Sequence, residues 1–225
     1  MLIAVCQFSM AINKAIIISM DTLIKLFGNA AKVKVIKLFV FNPEIAYDSR
    51  QISERTKETL SKVRKEILLL EKMDLIKRKV FYKTVLRKKG NRKVHARVKT
   101  HGWMLNVQFE FLAPLQQFLV SLNHLSPKDI ARKLQKAGTM KLVIVSGIFT
   151  QSNESRVDLL VVGDHLKKGV LDTAIKTIEA EIGKEIRFAV FETPDFQYRL
   201  GLYDKLIRDI LDFPHEKIVN RIGVF

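Results

Sequence analysis

Apolar residues recur every three to four positions in two segments of the first third of the chain, and a short polar segment lies between them, which together predict three consecutive helices after a break at Gly28-Asn29. The first ends at Asn42-Pro43, because proline disfavours helical geometry in the residue before it. The second is a short polar helix over about 49–56. The third runs over about 60–73, with Thr59 as its capping residue.

A strongly basic segment follows the third predicted helix. From Leu75 to Phe109 the chain contains no acidic residue, and apolar side chains alternate with lysine and arginine. This alternation is typical of strands, and the Lys-Gly-Asn sequence at 89–91 predicts a turn between two of them. Three helices followed by a basic hairpin form a winged helix-turn-helix, which we assign to residues 21–104.

The C-terminal half predicts a different architecture. MKLVIVS, VDLLVVG and EIRFAVF are typical of strands, and a helix over about 167–182 separates the second from the third. Thr193-Pro194 predicts the start of one long helix, and Phe213 to Glu216 is interpreted as a junction between helices. The inward face of the long helix is expected to contain Phe196, Leu200, Tyr203, Ile207 and Ile210.

These patterns predict an α+β or α/β protein of two domains, which 225 residues can accommodate. Connecting helices over 105–138 are expected to lead into a small mixed-sheet domain over 139–225. Residues 1–20 are apolar, but they lack a basic n-region and contain Lys14, which disfavours a signal peptide or a membrane span. They are interpreted as a packed or disordered extension, or as an untranslated stretch before Met20.

Charge is distributed unevenly along the chain. The net charge is +16, and residues 1–112 contain 23 Lys and Arg against 9 Asp and Glu. Such asymmetry indicates a polyanionic partner for the first half, with nucleic acid favoured over a membrane surface. Cys6 is the only cysteine, which excludes an intrachain disulfide and a cysteine zinc cluster and fits a cytoplasmic protein. We expect no cofactor and no metal.

The candidate DNA-binding residues lie near the second helix, at the start of the third, and at the tip of the hairpin. A helix fits the major groove, and basic side chains on a hairpin neutralise phosphates. An alternative is a solvated charged surface, and double-stranded RNA is a second candidate ligand. The candidates are Arg50, Thr59, Ser61, Lys62, Arg64, Lys65, Arg87, Lys88, Lys89, Asn91, Arg92 and Lys93.

Aromatic residues suited to stacking on unpaired bases are scarce in the hairpin. Phe81 and Tyr82 fall within the first strand and Trp103 at the end of the second. Core or hinge positions are the expectation for all three, which disfavours a single-stranded nucleic acid as the ligand.

The segments FGNAAKVKVIKLFVFNPE and ISERTKETLSKVRKEILLLEKMDLIKRK resemble the prokaryotic winged-helix regulators with an ArsR-like or MarR-like reader. The similarity covers about residues 23–100. It implies a dimeric transcriptional repressor that binds double-stranded DNA. The metal-binding cysteines of the arsenic-type members are absent, so metal sensing is not implied.

The segment SGIFTQSNESRVDLLVVGD resembles the nucleotidyltransferase superfamily with the DNA-polymerase-β-like fold. That resemblance implies a Gly-Ser turn and two aspartates that hold divalent metals. Here Gly147 stands in the turn, Asp158 retains one carboxylate, and Arg156 replaces the other. The resemblance therefore implies a degenerate, non-catalytic domain. A hydrogen-bonding role at a strand start is the simpler interpretation of Asp158, and Arg156 is a candidate contact for a nucleotide phosphate.

Three functions remain open at this point. The favoured one is a sequence-specific, homodimeric DNA-binding regulator whose C-terminal domain dimerises, senses a nucleotide or recruits a partner protein. An active nucleotidyltransferase with a DNA-binding appendage would need metal ligands that the sequence lacks. The third is a component of a toxin–antitoxin pair, which a co-purifying partner would distinguish.

Overall fold

The computed structural model describes residues 20–89, 92–121, 125–150 and 154–224. The side chains of residues 20, 21, 87–89 and 92–94 are outside the description, as is the predicted N-terminal extension. None of the helices in these ranges is both long and apolar enough to cross a bilayer. Helices and two small sheets make up the fold, in agreement with the α+β prediction.

Two compact units divide the chain. The N-terminal unit comprises Met20–Leu122 together with Ala180–Lys184, and the C-terminal unit comprises Asn123–Glu179 together with Glu185–Phe225. The helices of the N-terminal unit are α1 (Met20–Phe27), α2 (Ala30–Val40), α3 (Ser49–Thr56), α4 (Leu60–Lys72) and α5 (Leu112–Ser121). Its strands are β1 (Ile76–Lys89) and β2 (Arg92–Leu105).

Local signals explain where the helices of the N-terminal unit begin. The Asn29 side chain accepts a hydrogen bond from the backbone of Lys32 at the start of α2. Asp48 and Gln51 form a reciprocal capping box at the start of α3. Thr59 occupies the capping position of α4 without a side-chain hydrogen bond. The predicted boundaries of α2, α3 and α4 are therefore confirmed to within a residue or two.

A common apolar core holds these helices together. Phe39 of α2, Ile52 of α3 and Ile67 of α4 are fully buried and belong to one cluster. Leu119 of α5, in the region predicted as a connector, is fully buried in the same cluster. Burial of such side chains supplies most of the stability of a small helical unit, since each contributes about 1.5–3 kcal/mol.

The predicted hairpin is present, and each of its strands has fourteen residues. β1 and β2 pair antiparallel in continuous register from Ile76–Leu105 to Lys89–Arg92. Fourteen residues at strand spacing make an arm about 45 Å long. The segment between α2 and α3 joins its base, because Tyr47 and Trp103 exchange two backbone hydrogen bonds of 2.9 Å.

The C-terminal unit is built on a four-stranded mixed sheet in the order β5-β4-β3-β6. β3 is antiparallel to β4 and β6, whereas β4 and β5 are parallel and connected by a helix. Its elements are α6 (Pro127–Leu134), β3 (Thr139–Ser146), β4 (Leu159–Asp164), α7 (Lys168–Ile182), β5 (Phe188–Glu192), α8 (Thr193–Gly201), α9 (Lys205–Asp212) and β6 (His215–Asn220).

Two predictions for the end of the chain are wrong. The single long helix after Thr193 is two helices, since the chain turns between α8 and α9 with Tyr203 at φ 54°. Leu200 and Tyr203 are consequently exposed, although Phe196, Ile207 and Ile210 are buried as expected. The segment after Phe213 leads into a strand, β6, instead of a further helix.

Candidate nucleic-acid interface

Helix α4 presents a cationic surface at its N-terminal end. Val63, Glu66, Ile67 and Leu70 are buried, so the other positions of the helix face solvent. The exposed residues include four of the predicted candidates, which are Ser61, Lys62, Arg64 and Lys65. Thr59 and Arg50 are also exposed.

The cations of this surface differ in their pairing. Lys62 contacts Glu58 at 3.4 Å, and Lys34 contacts the same carboxylate at 2.8 Å. Burial alone would raise the pKa of Glu58, but the hydrogen bonds and charges of the two lysines hold it below its usual value. Within the described residues Arg64 and Lys65 form no ion pair. Both side chains are therefore available to a ligand.

The first strand of the hairpin is attached to the helices by two ion pairs. Lys83 of β1 donates a hydrogen bond to Asp48, the residue that caps α3. Burial alone would raise the pKa of Asp48, but bonds from Lys83 and from the backbone N–H groups of Gln51 and Arg50 hold it low. The second pair, between Arg78 and Glu71, lies at the end of α4.

Glu71 also connects the two strands of the hairpin. Its carboxylate accepts hydrogen bonds from Arg78 of β1 at 2.5 Å and from the Trp103 ring of β2 at 3.2 Å. The bond from Arg78 lowers the pKa of Glu71 below its usual value, so the carboxylate is charged near neutrality. The end of α4 is thereby joined to both strands.

The tip of the hairpin contains the remaining candidates. The backbone of β1 extends to Lys89 and that of β2 begins at Arg92, whereas Asn91 and the side chains of Arg87, Lys88, Lys89, Arg92 and Lys93 lie outside the described residues. Nearer the base, neither strand contains an acidic residue, and further cations are exposed. These cations are Lys77, Arg78, Lys79, Arg97 and Lys99.

The two faces of the hairpin differ in exposure. Phe81, Lys83 and Val85 are half-buried, as are their partners on β2. The alternate positions point outward. Tyr82 belongs to this outer set and is 61% exposed, so the expectation of a core or hinge position for it is wrong. Phe81 and Trp103 are half-buried.

The motif that resembles a nucleotidyltransferase site has a structural ion pair at its centre. Asp158 is 1% exposed and accepts a bidentate hydrogen bond from the Arg187 guanidinium, with both distances 3.0 Å. The backbone N–H groups of Ile148 and Arg187 donate to the same carboxylate. Gly147 turns at φ 56°, and an added Cβ there would lie 2.0 Å from Asp158 Oδ1.

Other residues of that motif are also engaged. Arg156 pairs with Asp209 of α9 at 3.1 Å. Within the described ranges, no group of three or more His, Cys, Asp and Glu residues could hold a metal ion.

The partner of Asp158 was not predicted, because Arg187 lies 29 residues away and no local pattern marks it. The Asp48 cap could have been read from the Asp-x-x-Gln spacing.

Comparison of the chain with protein families, curated proteins and solved structures found no significant match.

Proposed function

We propose that this chain is a sequence-specific double-stranded DNA-binding regulator that reads DNA with α4 in a winged helix-turn-helix. The proposal rests mainly on one observation. The unpaired cations Arg64 and Lys65 project from the N-terminal half of α4. The C-terminal end of α4 is attached to a hairpin whose strands contain no acidic residue. N-terminal residues of a recognition helix contact base edges in the major groove.

The surrounding geometry supports this assignment of roles. The Tyr47–Trp103 bridge and the Asp48–Lys83 pair attach the hairpin to the helical core, so that a duplex on α4 can also meet hairpin cations. Lysine and arginine contacts to phosphates release counterions, which supplies affinity without sequence preference. Arginine bidentate to guanine is the commonest base-specific contact, and in this proposal Arg64 makes it.

The C-terminal unit acts in this proposal as a non-catalytic dimerisation or regulatory module. Its Asp158 carboxylate is neutralised by Arg187, and Arg156 pairs with Asp209. A nucleotide or a partner protein would bind there, and a homodimer would place two copies of α4 on successive half-sites.

In vitro selection of duplex DNA with the full chain tests sequence-specific, dimeric DNA binding. Half-sites about one helical turn apart would support a dimer, whereas no enrichment would contradict sequence-specific binding.

Arg64→Ala is expected to weaken binding to a selected duplex by about 1–3 kcal/mol and binding to random duplex by much less. The physical reason is loss of a base contact as well as one charge. Fluorescence anisotropy with both duplexes measures the difference. Lys72→Ala is the matched control, because it removes one exposed cation from the opposite end of α4. Equal losses on both duplexes would contradict a base-reading role for Arg64.

Lys88→Ala combined with Lys89→Ala is expected to weaken binding to selected and random duplexes alike. Two fewer phosphate contacts should lower the slope of log affinity against log salt by about 1–2 units. A titration between low and moderate salt measures the slope. An unchanged slope would show that the hairpin tip does not contact the DNA backbone.

A further inference from the structure

The outer face of the hairpin, made of alternate residues of β1 and β2, combines exposed apolar side chains with polar and cationic ones. On β1 it exposes Val80, Tyr82 and Leu86, with exposed fractions of 43%, 61% and 63%. Their register partners on β2 are the exposed residues His101, Lys99 and His95. Large apolar side chains exposed together on a protein surface mark an interaction site.

Charge restricts the class of partner. Arg97 and Lys99 are exposed on this face, and neither strand contains an acidic residue. A second copy of the hairpin would bring like charges together, so self-association through this face is disfavoured. The partner must combine negative charge with flat or apolar surface.

Tyr82 and Arg97 already form the kind of platform on which a base stacks. The Arg97 guanidinium lies over the Tyr82 ring, 5.5 Å from its centre, and Tyr82 is nevertheless exposed. Aromatic rings and guanidinium planes stack on unpaired bases irrespective of sequence, and neighbouring cations bind the phosphates. Bases in an intact duplex offer no such face.

We propose that the outer face of the hairpin binds unpaired nucleotides, with Tyr82 stacking on a base and Arg97 and Lys99 contacting the adjoining phosphates. An anionic membrane surface fits the observations less well. The exposed apolar residues of β1 lie directly opposite polar residues of β2, and Thr84 interrupts their row, so no continuous apolar face could enter a bilayer. The inference goes beyond duplex recognition by α4, because it depends on the exposed Tyr82 ring, which duplex recognition does not use.

The test measures binding of the full chain to a labelled dT20 strand by fluorescence anisotropy. An abasic 20-mer has the same phosphates without bases, and we expect it to bind at least about fivefold more weakly. Tyr82→Ala should weaken dT20 binding by about 5- to 150-fold and duplex binding by less than about twofold. Tyr82→Phe keeps the ring and should bind dT20 as the parent does.

Controls separate stacking from folding and from duplex binding. Thr84→Ala alters the same face without removing a ring and should leave dT20 binding unchanged. Tyr82→Leu keeps a strand-compatible apolar side chain and should bind as weakly as Tyr82→Ala. Arg64→Ala should reduce duplex binding only, so a failure of the α4 proposal is visible separately.

Three outcomes would overturn the inference. The first is equal affinity for dT20 and the abasic strand, which would show that binding to phosphates alone accounts for the affinity. The second is an equal effect of Tyr82→Ala and Thr84→Ala. The third is Tyr82-dependent binding to vesicles of anionic phospholipid with none to dT20, which would assign the face to a membrane surface.

Discussion

Asp158→Ala is expected to destabilise the C-terminal unit by about 2–6 kcal/mol, because two backbone N–H groups lose the buried carboxylate that accepts from them, and each unsatisfied donor costs about 1–3 kcal/mol. The substitution leaves the Arg187 guanidinium and two backbone N–H groups without their acceptor. These bonds join the turn after β3 to the segment before β5, so their loss affects the centre of the sheet. Urea unfolding followed by circular dichroism measures the change.

Asp209→Ala is the matched control for Asp158→Ala. Asp209 also pairs with an arginine in this unit, and both arginines are more than half exposed, but among the described residues the Asp209 carboxylate accepts no backbone hydrogen bond. Such a surface pair contributes at most about 1 kcal/mol. A carboxylate reserved for a metal would behave differently, since its removal would cost little stability and would abolish any stabilisation by Mg²⁺. That result would contradict the structural role of Asp158.

The same ion pair predicts how stability depends on pH. Burial alone would raise the pKa of Asp158, but hydrogen bonds from Arg187 and from the Ile148 backbone hold it below its ordinary value of 3.8. A group whose folded pKa is depressed contributes stability above its unfolded pKa and loses it as the pH falls through the folded value. Below about pH 4 the parent protein should therefore lose more stability than Asp158→Ala does.

Gly102→Ala is expected to have the second large effect, a destabilisation of the N-terminal unit by about 2–6 kcal/mol. A Cβ at this position would lie 2.2 Å from the Tyr47 carbonyl oxygen and 2.8 Å from Cε1 of Phe81. The backbone of Tyr47 cannot retreat without breaking both of its bonds to Trp103. The hairpin base should detach, and duplex affinity should fall with it.

Thermal unfolding and duplex binding should be measured together for Gly102→Ala. Gly169→Ala is the control, because a Cβ there would meet nothing within 4 Å and the residue lies in helix α7. Alanine in a helix is favoured over glycine by about 1 kcal/mol, so this variant should be as stable as the parent or more so. If Gly102→Ala resembled it, the Tyr47 bridge would have no role in placing the hairpin.

The part of the fold that the sequence predicted is the part with local causes. The start of α2 at Asn29 and its end before Pro43 depend on residues a few positions apart. The error after Thr193 has a physical reason too. Apolar spacing there continues across a turn, although Gly201 at the end of α8 and Asp204, whose side chain caps α9, mark the break.

The candidate site also has features that the sequence predicted and features that it did not. The basic third helix and hairpin were visible in the sequence, because charge and apolar periodicity are properties of neighbouring residues. Attachment of the hairpin was not visible, since Asp48 and Lys83 are 35 residues apart. Nothing in the local pattern distinguishes a tyrosine that faces the core from one that faces solvent in a two-stranded arm.

The amino-acid order by itself determined the helices α2 to α4, the cationic hairpin and the mixed composition of the fold, since periodicity, capping and charge act over a few residues. Tertiary structure alone decided that Tyr82 faces outward and that Asp158 forms an ion pair with Arg187. The physical reason is that strand register and buried ion pairs join residues far apart in the chain, and their geometry exists only after the sheets have formed.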